Sequence, residues 1–108
     1  MEEIKIKILQ SVIDDLNDLI EQLFIKEYFG FEETARIYVD KIFDFIINDL
    51  QRQTFKITPK KIKSIGHQYV WYKANNRTTW YIFFMQKEHK ILVTYITNNY
   101  SKIINELN

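Results

Sequence analysis

The sequence predicts an α+β domain: an N-terminal strand, two antiparallel helices packed on one face of an antiparallel sheet, a three-strand C-terminal meander and a short C-terminal helix. Three observations carry this reading. Up to about residue 52 apolar side chains recur at helical spacing; beyond about residue 55 they come in alternating β-branched and aromatic runs separated by short polar turns. The third is size. A chain of 108 residues with 46% hydrophobic side chains suits one domain with a real core, so residues 1–108 read as a single unit.

Each element follows in order. Ile4, Ile6 and Ile8 alternate with Lys5 and Lys7, the period of a half-buried strand; the alternative is that the following helix begins earlier. Ser11 followed by Asp14 resembles a capping box. Val12, Ile13, Leu16, Leu19, Ile20, Leu23 and Phe24 then form the apolar stripe of a helix over 12–26, with Asp14, Asp15, Asp18 and Glu21 on its other side. Gly30 interrupts the pattern. A second helix over 31–52 carries Ala35, Tyr38, Val39, Ile42, Phe43, Ile46 and Leu50 as its stripe. Thr58-Pro59 suits the start of a short helix or turn holding Lys60, Lys61 and Lys63, and Gly66 its end. Three strands follow at 68–73, 79–86 and 91–97. The turns between them are Asn75-Asn76 and Lys87–Lys90, short enough for antiparallel hairpins. Asn98, Asn99 or Ser101 caps a final short helix through Leu107.

Composition narrows the chemistry. With no cysteine there are no disulfides and no thiolate metal sites, and His67 and His89 alone make no convincing metal site. The sequence therefore points to no cofactor and no metal. No run of 18 apolar residues is present, and the Met-Glu-Glu start lacks the basic and apolar segments of a leader; the expectation is a cytoplasmic protein with no membrane partner. The net charge of +1 hides a split. Residues 1–53 hold 6 Lys/Arg against 12 Asp/Glu, net −6, and residues 54–108 hold 9 against 2, net +7. A one-signed half suits a polyanion; alternatively the charges only solvate a folded surface.

Three stretches carry a resemblance. They are Lys26-Glu27-Tyr28-Phe29-Gly30-Phe31 before an acidic helix, Asn76-Arg77-Thr78-Thr79-Trp80-Tyr81-Ile82-Phe83-Phe84, and Ile91-Leu92-Val93-Thr94-Tyr95-Ile96-Thr97-Asn98-Asn99. Together they resemble a branch of the RelE/ParE superfamily of bacterial toxins. The likeness follows the order of elements along nearly the whole chain, with sharp local matches over about a third of it. It implies a toxin of a type II toxin–antitoxin module, silenced by a cognate antitoxin. RelE-like members are ribosome-dependent, metal-independent mRNA endoribonucleases (mRNA interferases) that inhibit translation; ParE-like members poison DNA gyrase. A non-catalytic protein-binding module is the alternative of a different class.

Metal-free RNA cleavage needs a base for the ribose 2′-OH, an acid for the leaving 5′-oxygen and cations for the phosphate. Tyr81 and Thr94 stand where the resemblance leads one to expect arginine, and Tyr100 where it leads one to expect histidine. The candidate catalytic residues are Lys73, Arg77, Tyr81, His67 and Tyr100. Lys73 and Arg77 flank the Asn-Asn turn as phosphate contacts, or are a solvated hairpin tip. His67 suits acid–base work by its ordinary pKa, or is a hydrogen-bonded surface residue. The candidate RNA- or ribosome-binding residues are Lys60, Lys61, Lys63, Phe83, Thr94, Asn98 and Asn99. Strand alternation puts Trp80, Ile82 and Phe84 under the helices and Tyr81 and Phe83 on an opposite face left open. Such a face serves to stack bases, to take an antitoxin, or is covered by the C-terminal tail or a dimer. Trp71, Trp80 and Tyr95 read as core.

Overall fold

A computed structural model of the chain describes residues 3–25 and 32–107, with the side chains of 22–25 and 32 outside the description. The Lys26–Phe31 stretch, with the Gly30 break and the predicted ends of both helices there, lies outside the described residues, as do the side chains of Leu23 and Phe24. The fold is α+β, as the periodicity predicts. Strand β1 (Lys5–Ile8) leads into α1 (Gln10–Ile25) and α2 (Glu32–Asp44). Then come β2 (Lys56–Ile57), a 3-10 segment (Lys60–Ile65), and the meander β3 (Gln68–Lys73), β4 (Thr79–Lys87) and β5 (Lys90–Asn98). A 3-10 segment (Lys102–Leu107) ends the described chain.

The sheet runs β1-β5-β4-β3-β2. Four strands are antiparallel, but β1 joins β5 in parallel, so the sheet is mixed rather than wholly antiparallel. Backbone bonds from Lys5 to His89 and from Leu9 to Val93 fasten this edge. The two-residue β2 has too little chain to show a period, and the sequence pattern misses it.

Helix α1 starts before Ser11. The Leu9 carbonyl accepts from the amides of Val12 and Ile13, and the Gln10 side-chain amide donates to Asp14 at 3.0 Å. The predicted Ser11 cap is thus displaced by two residues. The second predicted helix is α-helical only to Asp44. A π turn (Phe45–Asp49) and a 3-10 turn (Leu50–Arg52) complete the span. Phe45, Ile46 and Leu50 are all buried there, and the Phe45 ring lies 4.9 Å from that of Tyr72.

The main core lies between these helices and the sheet. Val12, Leu16, Ala35, Val39, Ile42 and Ile46 meet Val70, Trp80, Ile82, Phe84, Ile91 and Val93. The Trp80 indole Nε1 donates to the Tyr38 hydroxyl at 3.0 Å, which satisfies its one donor inside the core.

The opposite face is not open. The two 3-10 segments lie across its middle, and Ile62, Ile65, Ile103, Ile104 and Leu107 pack on Tyr69, Phe83 and Tyr95. Phe83 is 0% exposed. It is the centre of a second core, not a binding residue. Cover by the C-terminal segment is therefore the correct member of the three readings of this face, with the 60–65 segment sharing the task. The lysines of that segment face out while Ile62 and Ile65 face in, and Lys61 reaches Glu106 of the other segment at 3.8 Å.

The cover docks on a β-bulge. Phe83 pairs with Tyr95 but Phe84 pairs with Val93, leaving Thr94 as the extra residue on β5. The Thr94 hydroxyl donates to the Ile65 carbonyl. Gly66 lies flat on this point. A Cβ there would stand 2.7 Å from the Phe83 Cβ, 2.8 Å from the Thr94 Oγ1 and 3.0 Å from the Phe84 amide nitrogen. Gly66 does end the segment, as predicted, but close approach is what requires glycine. Pro59, not Thr58, stands at the segment's N-terminal cap position, and Thr58 is buried with no hydrogen-bond partner for its hydroxyl among the described residues.

Gly66→Ala should destabilise the protein by about 1–3 kcal/mol, the usual cost of overpacking against groups that cannot withdraw. Urea denaturation checks this. Thr94→Val keeps the volume but deletes the bond to Ile65, and should cost about 1 kcal/mol.

Candidate nucleic-acid interface

The sheet register arranges the second face in rows. The central row is Lys56, Tyr69, Phe83 and Tyr95, of which the three aromatics are covered and Lys56 is exposed at its edge. The next row towards the β3–β4 hairpin is Trp71, Tyr81 and Thr97, followed by the Lys73–Thr79 pair and the Arg77 tip. This end of the face is uncovered. Trp71 is 42% exposed, which corrects its reading as core: it alternates with Val70 and Tyr72, which take the helix side. The Lys56 ammonium sits 5.4 Å from the Trp71 ring centroid, a cation–π contact. Tyr81 is half-buried, its ring 6.2 Å from that of Tyr69. Tyr95 is only partly buried, 6.1 Å from Phe83, and belongs to the second core.

The hairpin tip is held by two layers of hydrogen bonds. Within the turn, the Asn75 side-chain oxygen accepts from the amides of Arg77 and Thr78, at 2.8 and 2.9 Å. This is the asparagine turn chemistry that the sequence predicts. From outside, the turn after β5 reaches across. Asn99 accepts from the Thr79 amide at 2.9 Å and donates through Nδ2 to the Arg77 carbonyl at 3.1 Å. The Tyr100 hydroxyl donates to the same carbonyl at 3.0 Å. Arg77, Asn99 and Tyr100, all chosen from sequence, thus belong to one cluster. The backbone bond explains what Tyr100 does there: it positions the tip rather than pointing a free hydroxyl at a ligand. The guanidinium of Arg77 and the ammonium of Lys73 remain exposed, with no ion pair among the described residues.

Other sequence-chosen residues fall elsewhere. His67 precedes β3 at the end opposite Lys73, about 20 Å away along the strand. Its carbonyl accepts from the Thr58 amide, and its imidazole is not brought to the Arg77 cluster. Asn98 pairs with Trp80 and shares the helix side, its side chain accepting from the Tyr100 amide at 3.0 Å. Thr94 is spent on the bulge. Lys60, Lys61 and Lys63 are exposed on the cover. The residues that the sequence reading missed are Trp71 and Lys56. The odd-numbered alternation Tyr69-Trp71-Lys73 was the signal available for Trp71; β2 left none for Lys56.

The helix side of the same sheet end holds a shallow cleft of about 220 Å³ between α1 and the sheet, lined by Asp15, Leu16, Trp80 and Asn98 among others. Its one charged side chain is a carboxylate, so it does not suit phosphate. Among the described residues there is no group of three His, Asp or Glu placed to hold a metal, and no helix long and apolar enough to cross a membrane. No protein-family model, curated protein or solved structure matches this chain.

Burial raises the pKa of the Tyr69 hydroxyl above its ordinary value, with a smaller push from Tyr81. The fold thus prefers the neutral phenol. Its contribution is fully present below about pH 10, the unfolded value, and is lost as pH rises through the higher folded value. Wild-type stability should decline above pH 10 more steeply than that of Tyr69→Phe, measured by urea midpoints across alkaline pH.

Proposed function

We propose that the protein is a RelE/ParE-type toxin, restrained by an antitoxin, whose uncovered sheet end engages mRNA on the ribosome and promotes its cleavage. One observation carries the reading: the aromatic faces of Trp71 and Tyr81 stand beside Lys56, Lys73 and Arg77 on the only stretch of the second face, among the described residues, that pairs exposed aromatic surface with a built and braced basic tip. Aromatic faces stack bases, and lysine and arginine neutralise phosphates. The element order and the residues of the resemblance support the same reading.

The chemistry follows from what is absent at that end. Besides the asparagines that brace the tip, its polar groups among the described residues are lysine, arginine, tyrosine and threonine, with His67 far along β3. Lysine, arginine and tyrosine are as classes protonated at neutral pH, so they donate hydrogen bonds and positive charge more readily than they abstract a proton. In the proposed mechanism Arg77 and Lys73 hold the charge that builds on the scissile phosphate, and Trp71 and Tyr81 hold the neighbouring base. The ribosome supplies orientation of the strand, an effect worth up to roughly 7–11 kcal/mol. The antitoxin masks this end by covering the exposed rings. A protein confined to the cytoplasm, where ribosomes and mRNA are, fits this role.

Induced expression in a bacterium should arrest growth, with mRNAs cut during translation. Arg77→Ala and Lys73→Ala should each lower cleavage by about 10²-fold, as for a lost transition-state donor. Rapid digestion of naked RNA by purified protein contradicts the ribosome-dependent mechanism. Loss of gyrase supercoiling with intact mRNA replaces it with the gyrase reading.

A further inference from the structure

The other uncovered end of the second face has no part in that mechanism. There β1, β5 and β4 bring Lys5, Lys90 and Lys87 into one cross-strand row, since Lys5 pairs with Lys90 and Lys90 with Lys87. Lys7 stands in the next row, paired with Leu92, which pairs with Met85. All four lysines are exposed. Adjacent strands lie about 4.8 Å apart, so three like charges occupy neighbouring positions, an arrangement that weakens a sheet unless something offsets it. The chain has 14 acidic residues and places none in this row; Glu88 sits in the connecting turn.

Protection of a sheet edge accounts for part of this. Lysines on an edge strand discourage strand addition, which covers Lys5 and Lys7 on β1. It does not cover Lys90, which is flanked by Lys5 on β1 and by Lys87 on β4; Lys87 itself lies past the end of β3, whose pairing with β4 stops at Phe84. A protein partner is a poor match as well. Lysine is depleted at the centres of protein interfaces, and this row offers no apolar anchor. Lysine as a compact, mobile charge is a common phosphate ligand.

We propose that the Lys5–Lys90–Lys87 row, with Lys7, is a second phosphate-contact site that tethers the backbone of an RNA strand while Trp71, Tyr81 and Arg77 act on another part of it. The inference rests on the reading of the protein as RNA-engaging. Six residue-to-residue steps along β4 separate Tyr81 from Lys87, about 20 Å of strand. No mononucleotide spans that distance, so the ligand that uses both ends is a polymer. The cover between them carries Lys60, Lys61 and Lys63 outward, with Lys61 paired to Glu106.

The test is the salt dependence of binding of the full chain to a fluorescent single-stranded oligouridylate long enough to reach both ends. Wild type is compared with Lys5→Gln/Lys87→Gln/Lys90→Gln, with the Lys→Arg triple variant at the same positions, and with Arg77→Ala. Each lost phosphate contact should reduce the log–log slope by about 0.7, so the Gln triple should lose about 2 and the Arg triple nothing. Arg77→Ala should lose less than about 1. An unchanged slope in the Gln triple overturns the tether, as does a wild type that does not bind RNA. So does a Gln triple that loses binding to polyglutamate but keeps its RNA slope, which would assign the row to an acidic protein. Growth arrest judges the toxin reading separately. If Arg77→Ala abolishes arrest and the Gln triple keeps its slope, the tether alone fails; if expression never arrests growth and the slope still falls, the toxin reading alone fails.

Discussion

The second face of the sheet depends on one irregularity, the extra residue at Thr94. Ile91 and Val93 face the helices, and so does Ile96, three positions on. Strict alternation cannot place all three on one side; the bulge between Phe83 and Phe84 does. The same bulge lifts the Thr94 hydroxyl to the Ile65 carbonyl and leaves a flat spot that only a residue without Cβ can occupy, filled by Gly66. The 60–65 segment is thereby pinned over Phe83, and Ile103, Ile104 and Leu107 close the second core from the other side. The Lys61–Glu106 pair adds little, since both side chains are largely in water. Packing and the bulge hold the cover, not its surface charges.

A cover pinned at the centre leaves a divided surface. Apolar area that would otherwise lie open becomes core, and what stays exposed lies at the two ends of the strands. The hairpin end is braced by a second turn, since Asn99 and Tyr100 both donate to the Arg77 carbonyl. Bracing of this kind reduces the ordering cost when a ligand binds, because the backbone of the tip is already in place. Arg77, with a free charged end, has its backbone held from both sides, by Asn75 at its amide and by Asn99 and Tyr100 at its carbonyl.

Periodicity made the elements legible where they are long. The 68–73 strand matches its predicted limits, the other two meander strands differ by one residue at one or both ends, α1 begins two residues early, and α2 stops at Asp44, eight residues short of the predicted 52. The segments that were not legible are those without a period, the two-residue β2 and the π turn at 45–49; turn and cap residues did mark the two 3-10 segments, but not that both lie across the sheet. These are also the parts that decide the site. The apolar residues Ile62, Ile65, Ile103 and Ile104 sit among lysines and asparagines, too sparse to show a face, yet together they bury Phe83. Strand alternation correctly put Phe83 opposite Trp80, and failed only in what lay above it. For the same reason Trp71 and Phe83 exchange roles: they share one face, and distance from the cover decides which is core.

The charge split along the chain becomes a split across the sheet. The acidic first half builds the helix layer, and the basic second half builds most of the opposite face and its cover. Opposite potentials on two faces orient a polyanion before contact, with an effect confined to about 8 Å at physiological salt. The proposed role gains a further restriction from the cover. Among the described residues the rings left at least partly exposed at the hairpin end are Trp71, Tyr81 and Tyr100, room for a few bases, and stacking tolerates any base. Such a surface reads little sequence by itself. Its selectivity in the proposed role comes from whatever presents the strand, and a ribosome holding one codon in place presents few nucleotides at a time. A small stacking platform, a braced cationic tip and a basic surface running away from both are what a protein needs when another particle positions its substrate.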